Sequence, residues 1–340
     1  MLRCALSNKW QPSMFTPKRI NHRIRHLVGG ITRSAVSIAL SAIFLSNTEI
    51  AKADDLLRGD LLGSVQTHTA KHEDTLLDLA RNHELGFVEI VAANQGIDPW
   101  IPGEGKEIVL PTGHLLPNAP REGIIINLAE HRLYFFAKDG VRTYAIGVGR
   151  DGWDTPLGNT RIVRKKKDPI WYPPKSIREK HPYLPEVVRA GPNNPLGQHA
   201  LYFEWPTYMV HGTNMPWGVG RRVSHGCIRL YPESIEKLFN EVSVGTAVQV
   251  INQTIKVGWS ARELYIEVYP EPEQVDELER DGKIASAAKL SISDALYRIR
   301  NLARDKLYRL DWEAIRNALV ERTGLPVRVT LRDHAQKETK

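Results

Sequence analysis

Two patterns of apolar residues divide the chain beyond residue 60. Apolar positions first recur at helical spacing, which predicts one helix after the cap signal Glu73-Asp74-Thr75 and a second helix from Phe87 to Asn94. A short strand at 107–110 ends before Pro111. Residues 65–112 are therefore expected to form a small unit of their own.

From Gly123 the pattern changes to short apolar runs separated by turn residues. It predicts strands at 124–128, 132–136 and 141–146. Short strands of this kind favour a sandwich or barrel over a doubly wound sheet. The chain contains no P-loop, so this nucleotide-binding signature is missing.

Beyond Asn252 the pattern is mixed. Residues 263–268 alternate like a strand, and helical spacing follows at 293–304 and 311–322, where Gly324 is expected to end the second helix. These segments predict a small α+β region over 253–340. The whole chain is thus expected to be multidomain and mainly β, with its central domain at 122–252.

The first 53 residues have the pattern of an export signal. Residues 1–33 are basic and contain no acidic residue, and the apolar run at 35–45 is too short to span a bilayer, which takes about 20 residues. Ala51-Lys52-Ala53 has the small residues of a cleavage site. We expect a signal peptide over 1–53 that is cleaved after Ala53, which implies a periplasmic protein. The alternative is an uncleaved N-terminal anchor.

The formal charge of +7 comes from this segment. Residues 1–53 carry 8 of the 46 lysines and arginines but 1 of the 39 acidic residues, so 38 of each remain in residues 54–340. A neutral exported chain gives no reason to expect a nucleic-acid partner. No later apolar run is long enough for a membrane span, so the mature chain is expected to have none.

Of the two cysteines, Cys4 lies in the predicted signal peptide, which leaves Cys227 as the candidate for chemistry. His211 and His225 lie near it, each followed by a glycine. A histidine activates a thiol and lowers its pKa, and backbone N–H groups at a glycine turn can hold an oxyanion. Two alternatives are a buried thiol that acts as a small apolar group, and a zinc site of these three residues, which lacks a fourth ligand and the usual spacing. The pattern favours the nucleophile.

The segment that holds these residues resembles the signature of the L,D-transpeptidases with a YkuD-type catalytic domain. The matching features are His211-Gly212, a variable loop, and Ser224-His225-Gly226-Cys227-Ile228-Arg229. Asp154-Thr155-Pro156-Leu157-Gly158 resembles the T-P-x-G turn of the family, and Trp171-Tyr172-Pro173-Pro174 resembles a stretch of its periplasmic branch. The similarity covers 122–252 and implies a β-sandwich catalytic domain.

The resemblance implies that two residues react and that the others support them. Cys227 is then the nucleophile, and His211 is the general base and acid. The Gly212 carbonyl orients the imidazole, and the Gly226 and Cys227 N–H groups hold the oxyanion. Ser224 and His225 shape the turn, and Arg229 binds a substrate carboxylate. No metal and no cofactor is implied.

By the same resemblance, the thiol attacks a peptidoglycan tetrapeptide stem between the L-centre of meso-diaminopimelate and the terminal D-alanine, and forms a thioester. An amine then takes the acyl group. The domain order resembles the branch that attaches Braun-type outer-membrane lipoproteins, so the C-terminal lysine of such a lipoprotein is the expected acceptor. The alternatives are a second diaminopimelate, which gives 3-3 cross-links, and water, which gives an L,D-carboxypeptidase. Acylation by carbapenems is implied as well.

Residues 65–112 resemble a LysM module, a small βααβ domain that binds cell-wall glycan. The matching residues are Asp74-Thr75-Leu76, Ala80, Ala93-Asn94, Ile97 and Leu110-Pro111. His68 and Glu73 stand where that family has an aromatic residue and a glycine. The module is expected either to bind glycan or to act as a spacer without affinity. A non-catalytic wall-binding protein is the rival function of another class.

Two further features receive a structural interpretation. The run Arg164-Lys165-Lys166-Lys167 is expected to be a solvated loop. Trp171, Trp205 and Trp217 are expected in the core or at its rim, with Trp217 in the loop over the proposed site.

Overall fold

The structure is a computed structural model that describes residues 59–286 and 292–331. The predicted signal peptide over 1–53 lies outside these residues, as does the chain from Arg332 onward. The described strands are β1 (Leu61–Leu62), β2 (Gln66–Thr69), β3 (Glu107–Leu110), β4 (His114–Leu115), β5 (Gly123–Asn127), β6 (Arg132–Ala137), β7 (Gly140–Ala145), β8 (Val148–Gly149), β9 (Gly158–Lys167), β10 (His199–Phe203), β11 (Met209–His211), β12 (Arg222–Ser224), β13 (Ile228–Arg229), β14 (Ala247–Ile251), β15 (Ile255–Ser260), β16 (Glu263–Val268) and β17 (Val327–Arg328).

The helices in the same part of the chain are α1 (Leu76–Asn82), α2 (Phe87–Ala93), α3 (Lys175–Lys180), α4 (Pro232–Glu241), α5 (Pro272–Asp281), α6 (Ile292–Ala303) and α7 (Trp312–Glu321). Short 3-10 turns lie at Pro216–Gly218 and Arg304–Arg309. None of the described helices is long and apolar enough to cross a membrane.

The centre of the molecule is one mixed eight-stranded sheet with the order β13-β11-β10-β9-β14-β5-β6-β7. The sheet curls until its edges meet. Just beyond β7, the Gly147 N–H donates to the Arg229 carbonyl of β13 at 2.8 Å, and the Arg229 N–H donates back at 2.9 Å. The mainly-β prediction is confirmed. The strands expected to form a sandwich belong to this one sheet, which is curled and joined at its two edges.

Alternate residues of β5 pack on opposite faces of the curled sheet. Ile124 and Ile126 are buried in the main core, whereas Ile125 packs on the other face beside Tyr134. This is the two-residue period of a strand that is covered on both sides. The predicted strands at 124–128, 132–136 and 141–146 correspond to β5, β6 and β7 to within one residue at each end.

The prediction of a solvated loop at Arg164-Lys165-Lys166-Lys167 is wrong, because these residues are the last four of β9. The strand is fixed from both sides, since β9 pairs with β10 and with β14. Ile162 of β9 also lies in the main core. The four charged side chains therefore alternate between the two faces of the sheet.

The residues that precede the curled sheet form the segment β2-α1-α2-β3, in which the two strands pair antiparallel. Thr75 caps α1 by accepting from the Asp78 N–H, in agreement with the cap signal. The helices and β3 share a core with Val275 and Leu278 of α5. This segment is therefore packed against the C-terminal part of the chain.

The C-terminal part contains the antiparallel sheet β15-β16-β17 with α6 and α7 packed on it. Asp311 caps α7 by accepting from the Ala314 N–H. Arg322, rather than Gly324, follows the end of α7 in left-handed backbone (φ 50°). The buried guanidinium of Arg322 donates to Gln274 at 3.1 Å, which helps to offset the strain of that conformation.

A buried ionic cluster joins β4 and the curled sheet to the C-terminal part of the chain. The Lys256 ammonium lies 2.5 Å from Glu130 Oε2 and 2.7 Å from Glu267 Oε2. It also donates to the Tyr134 hydroxyl at 2.9 Å and to the Leu115 carbonyl. Burial raises the pKa of Glu267 to about 7, against the opposing charge of Lys256. Because two carboxylates share one ammonium, the cluster depends on the lysine.

Replacing Lys256 with methionine should lower the free energy of unfolding by about 3–5 kcal/mol, because two buried carboxylates lose their counter-charge. Urea unfolding followed by intrinsic fluorescence measures this loss. Lys237→Met is the control, since Lys237 is exposed and pairs with Glu84 on the surface. That variant should lose about 1 kcal/mol or less. Equal losses in the two variants would contradict the role given to Lys256.

Candidate active site

A cavity of about 670 Å³ brings together the side chains of the sequence motif. Strands β9 to β11 and β13 contribute to its lining, and an aromatic-rich segment at 170–177 lies on its rim. The motif side chains that line it are those of His211, Ser224, His225, Cys227 and Arg229. Gly212 and Gly226 contact these residues through their backbones.

The chain turns sharply just before Cys227. Gly226 has a φ of 96°, and a Cβ there would lie 2.8 Å from Tyr208 Cε1, so only glycine fits. Ser224 Oγ accepts from the Gly226 N–H at 3.1 Å and donates to the Cys227 carbonyl at 2.6 Å. Thr155 Oγ1 donates to the Gly226 carbonyl at 2.9 Å. Two hydroxyl groups therefore hold the turn in place.

The Cys227 thiol is partly exposed and donates to the Thr207 carbonyl, with 3.4 Å between Sγ and O. Within the described residues its backbone N–H has no acceptor. Burial raises the pKa of the Cys227 thiol and outweighs the opposite effects of a Met209 backbone hydrogen bond and of the Arg229 charge. The sequence predicts a lowered pKa, and the structure reverses this direction because desolvation dominates.

His211 ends β11 and is buried. Its Nδ1 lies 2.6 Å from the Gly212 carbonyl oxygen. A carbonyl oxygen only accepts, so Nδ1 carries the proton and Nε2 keeps a lone pair. Burial, together with the charge of Arg229, lowers the pKa of His211 to about 3. The imidazole is therefore neutral at neutral pH and can accept a proton at Nε2.

His225 has a different environment. Its Nε2 accepts from the Arg150 guanidinium at 3.0 Å, and Trp153 meets the ring edge-on with 4.7 Å between centroids. Burial and the charge of Arg150 lower the pKa of His225. Because the arginine occupies the lone pair at Nε2, His225 has no free nitrogen that can act as a base.

Arg229 presents a positive charge to the cavity without a counter-charge. β13 places it beside His211 of β11. Its Nε atom is buried without a hydrogen-bond partner, and none of the described residues that line the cavity is acidic. Burial lowers the pKa of Arg229 from a high starting value, so the side chain stays charged. An unpaired cation in such a cavity is suited to an anionic group.

Helix α2 abuts the loop that precedes Cys227. The Phe87 N–H donates to the Val219 carbonyl at 3.3 Å, and the Val88 N–H donates to the Gly220 carbonyl at 3.1 Å. These are N–H groups that a helix leaves without partners at its start. The backbones meet so closely that a Cβ on Gly220 would lie 2.2 Å from the Phe87 nitrogen.

Sequence reasoning missed several contributors. Thr155 lies in the T-P-x-G turn, which was part of the family resemblance, but no role was predicted for its side chain. Arg164 and Lys166 belong to the basic run that was expected to be a solvated loop, and nothing in the sequence singles out Arg150. Only the folded chain brings these three residues to the site. Trp217, expected over the site, does not line this cavity, whereas Trp171 does. In the described part of the chain, no group of three His, Cys, Asp or Glu residues is arranged to hold a metal.

Comparison with known proteins adds to this geometry. The family model of the L,D-transpeptidase catalytic domain, YkuD, matches residues 121–250. The chain is 36% identical to the probable L,D-transpeptidase YcfS of Escherichia coli K12 over 282 residues, which cover 79% of this chain and 85% of the relative. It is also 36% identical to the probable L,D-transpeptidase YbiS of the same strain over 279 residues, which cover 79% and 88%.

Among solved structures, the NMR structure of the catalytic domain of an E. faecium L,D-transpeptidase is 20% identical, with a TM-score of 0.32, over 40% of this chain and 100% of that one. The relatives identify the protein as an enzyme of the transpeptidase class. The chain belongs to the L,D-transpeptidase family, which confirms the resemblance found in the sequence.

The raised thiol pKa predicts how Cys227 reacts with an alkylating agent. In a Cys4→Ser background Cys227 is the single cysteine of the chain. Its rate of alkylation by iodoacetamide should keep rising with pH beyond the range of an ordinary thiol, whose pKa is about 8.5. Intact-mass spectrometry measures the rate at each pH, with free glutathione as the reference. A rate that levels off below neutral pH would reveal a thiolate–imidazolium pair and would contradict the neutral resting state.

Proposed function

We propose that this protein is a cysteine L,D-transpeptidase of peptidoglycan, in which Cys227 and His211 react and Arg229 binds a substrate carboxylate. One observation carries the proposal. A thiol and a neutral imidazole with a lone pair at Nε2 line one cavity. Cationic side chains also line this cavity, and none of the described residues in its lining is acidic. The acyl donor is the tetrapeptide stem, whose carboxylates suit such a cavity.

In the first step, Cys227 Sγ attacks the carbonyl carbon at the L-centre of meso-diaminopimelate while His211 Nε2 takes the thiol proton. The Cys227 N–H is free to hold the oxyanion, which is worth about 3 kcal/mol in the transition state. The Gly226 N–H already donates to Ser224, so it is not available for this role without rearrangement. The C–N bond then breaks, and D-alanine leaves with the proton from His211. The product is a thioester on Cys227.

In the second step, an amine attacks the thioester and His211 removes its proton. The Cys227 thiol is released, and a new amide bond forms at the diaminopimelate. We propose the C-terminal lysine of a Braun-type lipoprotein as the acceptor, on the basis of the domain order. The side-chain amine of a second diaminopimelate would give 3-3 cross-links, and water would give a carboxypeptidase.

The Gly212 carbonyl has the orienting role that a carboxylate has in a Ser-His-Asp triad. Its oxygen lies 2.6 Å from His211 Nδ1 and accepts the hydrogen bond that fixes the proton on this nitrogen, but it adds no negative charge. A carboxylate would stabilise the imidazolium more strongly, whereas the carbonyl dipole raises the pKa of His211 by less than burial lowers it. The base is therefore neutral until the thiol proton reaches it.

The remaining parts of the chain are proposed to bring the enzyme to the cell wall. Residues 65–112 are a LysM-like module, 122–252 the catalytic domain and 253–340 a C-terminal α+β region. Trp100 is 62% exposed and Ile101 76% exposed, and both follow the loop that contacts the start of α1. An exposed aromatic and apolar pair suits the face of a sugar ring. The predicted signal peptide would place the enzyme in the periplasm.

Cys227→Ala should abolish the covalent adduct with a carbapenem and lower the release of D-alanine from tetrapeptide stems by about a thousandfold or more. The adduct is measured by intact mass and D-alanine by an enzyme-coupled assay. Cys4→Ala is the matched control, since it makes the same change in the predicted signal peptide. Undiminished release by the Cys227 variant would contradict the nucleophile. A wild-type protein that forms no adduct and releases no D-alanine, but binds wall glycan, would favour the non-catalytic rival.

Deletion of the protein should remove lipoprotein-linked muropeptides from the wall, and mass spectrometry of digested peptidoglycan measures this. Complementation with wild type should restore them, whereas complementation with Cys227→Ala should not. Loss of 3-3 cross-links alone, or of tripeptide stems alone, would contradict the lipoprotein as acceptor and favour diaminopimelate or water.

A further inference from the structure

We propose that Arg164 and Lys166 of β9 form a second carboxylate-binding position in the catalytic cavity. It would hold an acidic group of the acyl-donor peptide on the far side of His211 from Arg229. Both residues line the cavity that contains Cys227. The inference rests on the proposed function and adds two specificity-determining residues outside the sequence motif.

The strand register places basic side chains in a row. Lys166 pairs with Ala200 across β9 and β10, and Ala200 pairs with His211 across β10 and β11. His211 in turn pairs with Arg229 of β13. Paired residues share one face of a sheet, and neighbouring strands lie about 4.8 Å apart. The backbone of Lys166 is therefore about 10 Å from that of His211, and the backbone of Arg229 is about 5 Å from that of His211 on the opposite side.

Arg164 lies in the neighbouring row, where it pairs with Tyr202. Its guanidinium carbon is 3.7 Å from the centre of the Tyr202 ring, and that ring also lines the cavity. A guanidinium stacked on an aromatic ring is held in orientation while its N–H groups remain available. Arg164 thus presents donors in a planar fork next to the ammonium of Lys166.

Neither cation has an acidic partner within the described residues. Arg161, on the same strand, pairs with Glu204 at 2.5 Å on the surface. In the cavity, by contrast, Arg164, Lys166 and Arg229 gather without a carboxylate in the lining. Like charges in one cavity repel each other, so a bound anion relieves an unfavourable arrangement.

The spacing of the two positions suits an acidic peptide. Three strand intervals separate Lys166 from Arg229, which is about 14 Å, and an extended peptide rises about 3.3 Å per residue. The long side chains of both residues shorten this span. Carboxylates a few residues apart on one donor peptide can therefore reach both positions while the scissile amide lies between them, near Cys227 and His211.

The test uses the Arg164→Gln/Lys166→Gln double variant of the full chain with tetrapeptide muropeptides as donors. The donor KM should rise about tenfold or more, since two charge-assisted contacts are lost, while kcat stays unchanged. Amidation of the donor carboxylate upstream of diaminopimelate should raise the KM of the wild type to a similar extent and leave that of the double variant unchanged. Lys167→Gln is the control for charge on the same strand, because it removes one lysine charge on the opposite face of β9.

Arg164→Lys keeps the positive charge and should retain most of the donor affinity. Acylation of Cys227 by a carbapenem, measured on the wild type, tests the proposed function separately. A wild type that is not acylated would overturn the proposed function itself. An unchanged donor KM in the double variant would overturn the carboxylate position. So would a donor KM that amidation raises equally in the wild type and in the double variant, or a rise confined to the KM of the acceptor amine.

Discussion

Three backbone segments approach one another closely at Gly147, and the position of the site depends on this contact. Gly147 exchanges two hydrogen bonds with Arg229 and so joins the two edges of the curled sheet. A Cβ on Gly147 would lie 2.5 Å from the Gly218 carbonyl oxygen, which leaves no room for a side chain. Cys227 lies two residues before Arg229, next to the strand that this contact fixes. The place of the thiol therefore follows from closure of the sheet as well as from the turn at Gly226.

The same contact connects the N-terminal segment with the site. The Gly220 N–H donates to the Ile146 carbonyl at 3.1 Å, and its carbonyl accepts from the start of α2. Tyr231, just beyond β13, donates to the Leu85 carbonyl at 2.9 Å. Separating α2 from the loop would leave polar backbone groups without partners. Residues outside the range matched by the family model, 121–250, thus help to hold the loop before Cys227.

Local patterns predicted the elements well because periodicity and caps are local properties. β16 coincides with the strand predicted at 263–268, and Thr75 and Asp311 cap their helices as their positions indicated. Features that depend on register were not predictable. Arg164-Lys165-Lys166-Lys167 are consecutive charges, and only pairing with β10 and β14 shows that they alternate between two faces. Nothing beside Lys256 in sequence marks it as buried, since its partners lie far away along the chain.

The pKa directions at the site separate the effect of burial from that of charge. Burial raises the pKa of Cys227 and lowers that of His211, so both shifts oppose a thiolate–imidazolium pair and favour the neutral pair at rest. The charge of Arg229 lowers both pKa values. It therefore helps the thiol to release a proton but hinders the imidazole from accepting it, and the two effects on proton transfer oppose each other. Arg229 also remains available, as a cation without an acidic partner in the cavity lining, to an anionic group that enters the cavity.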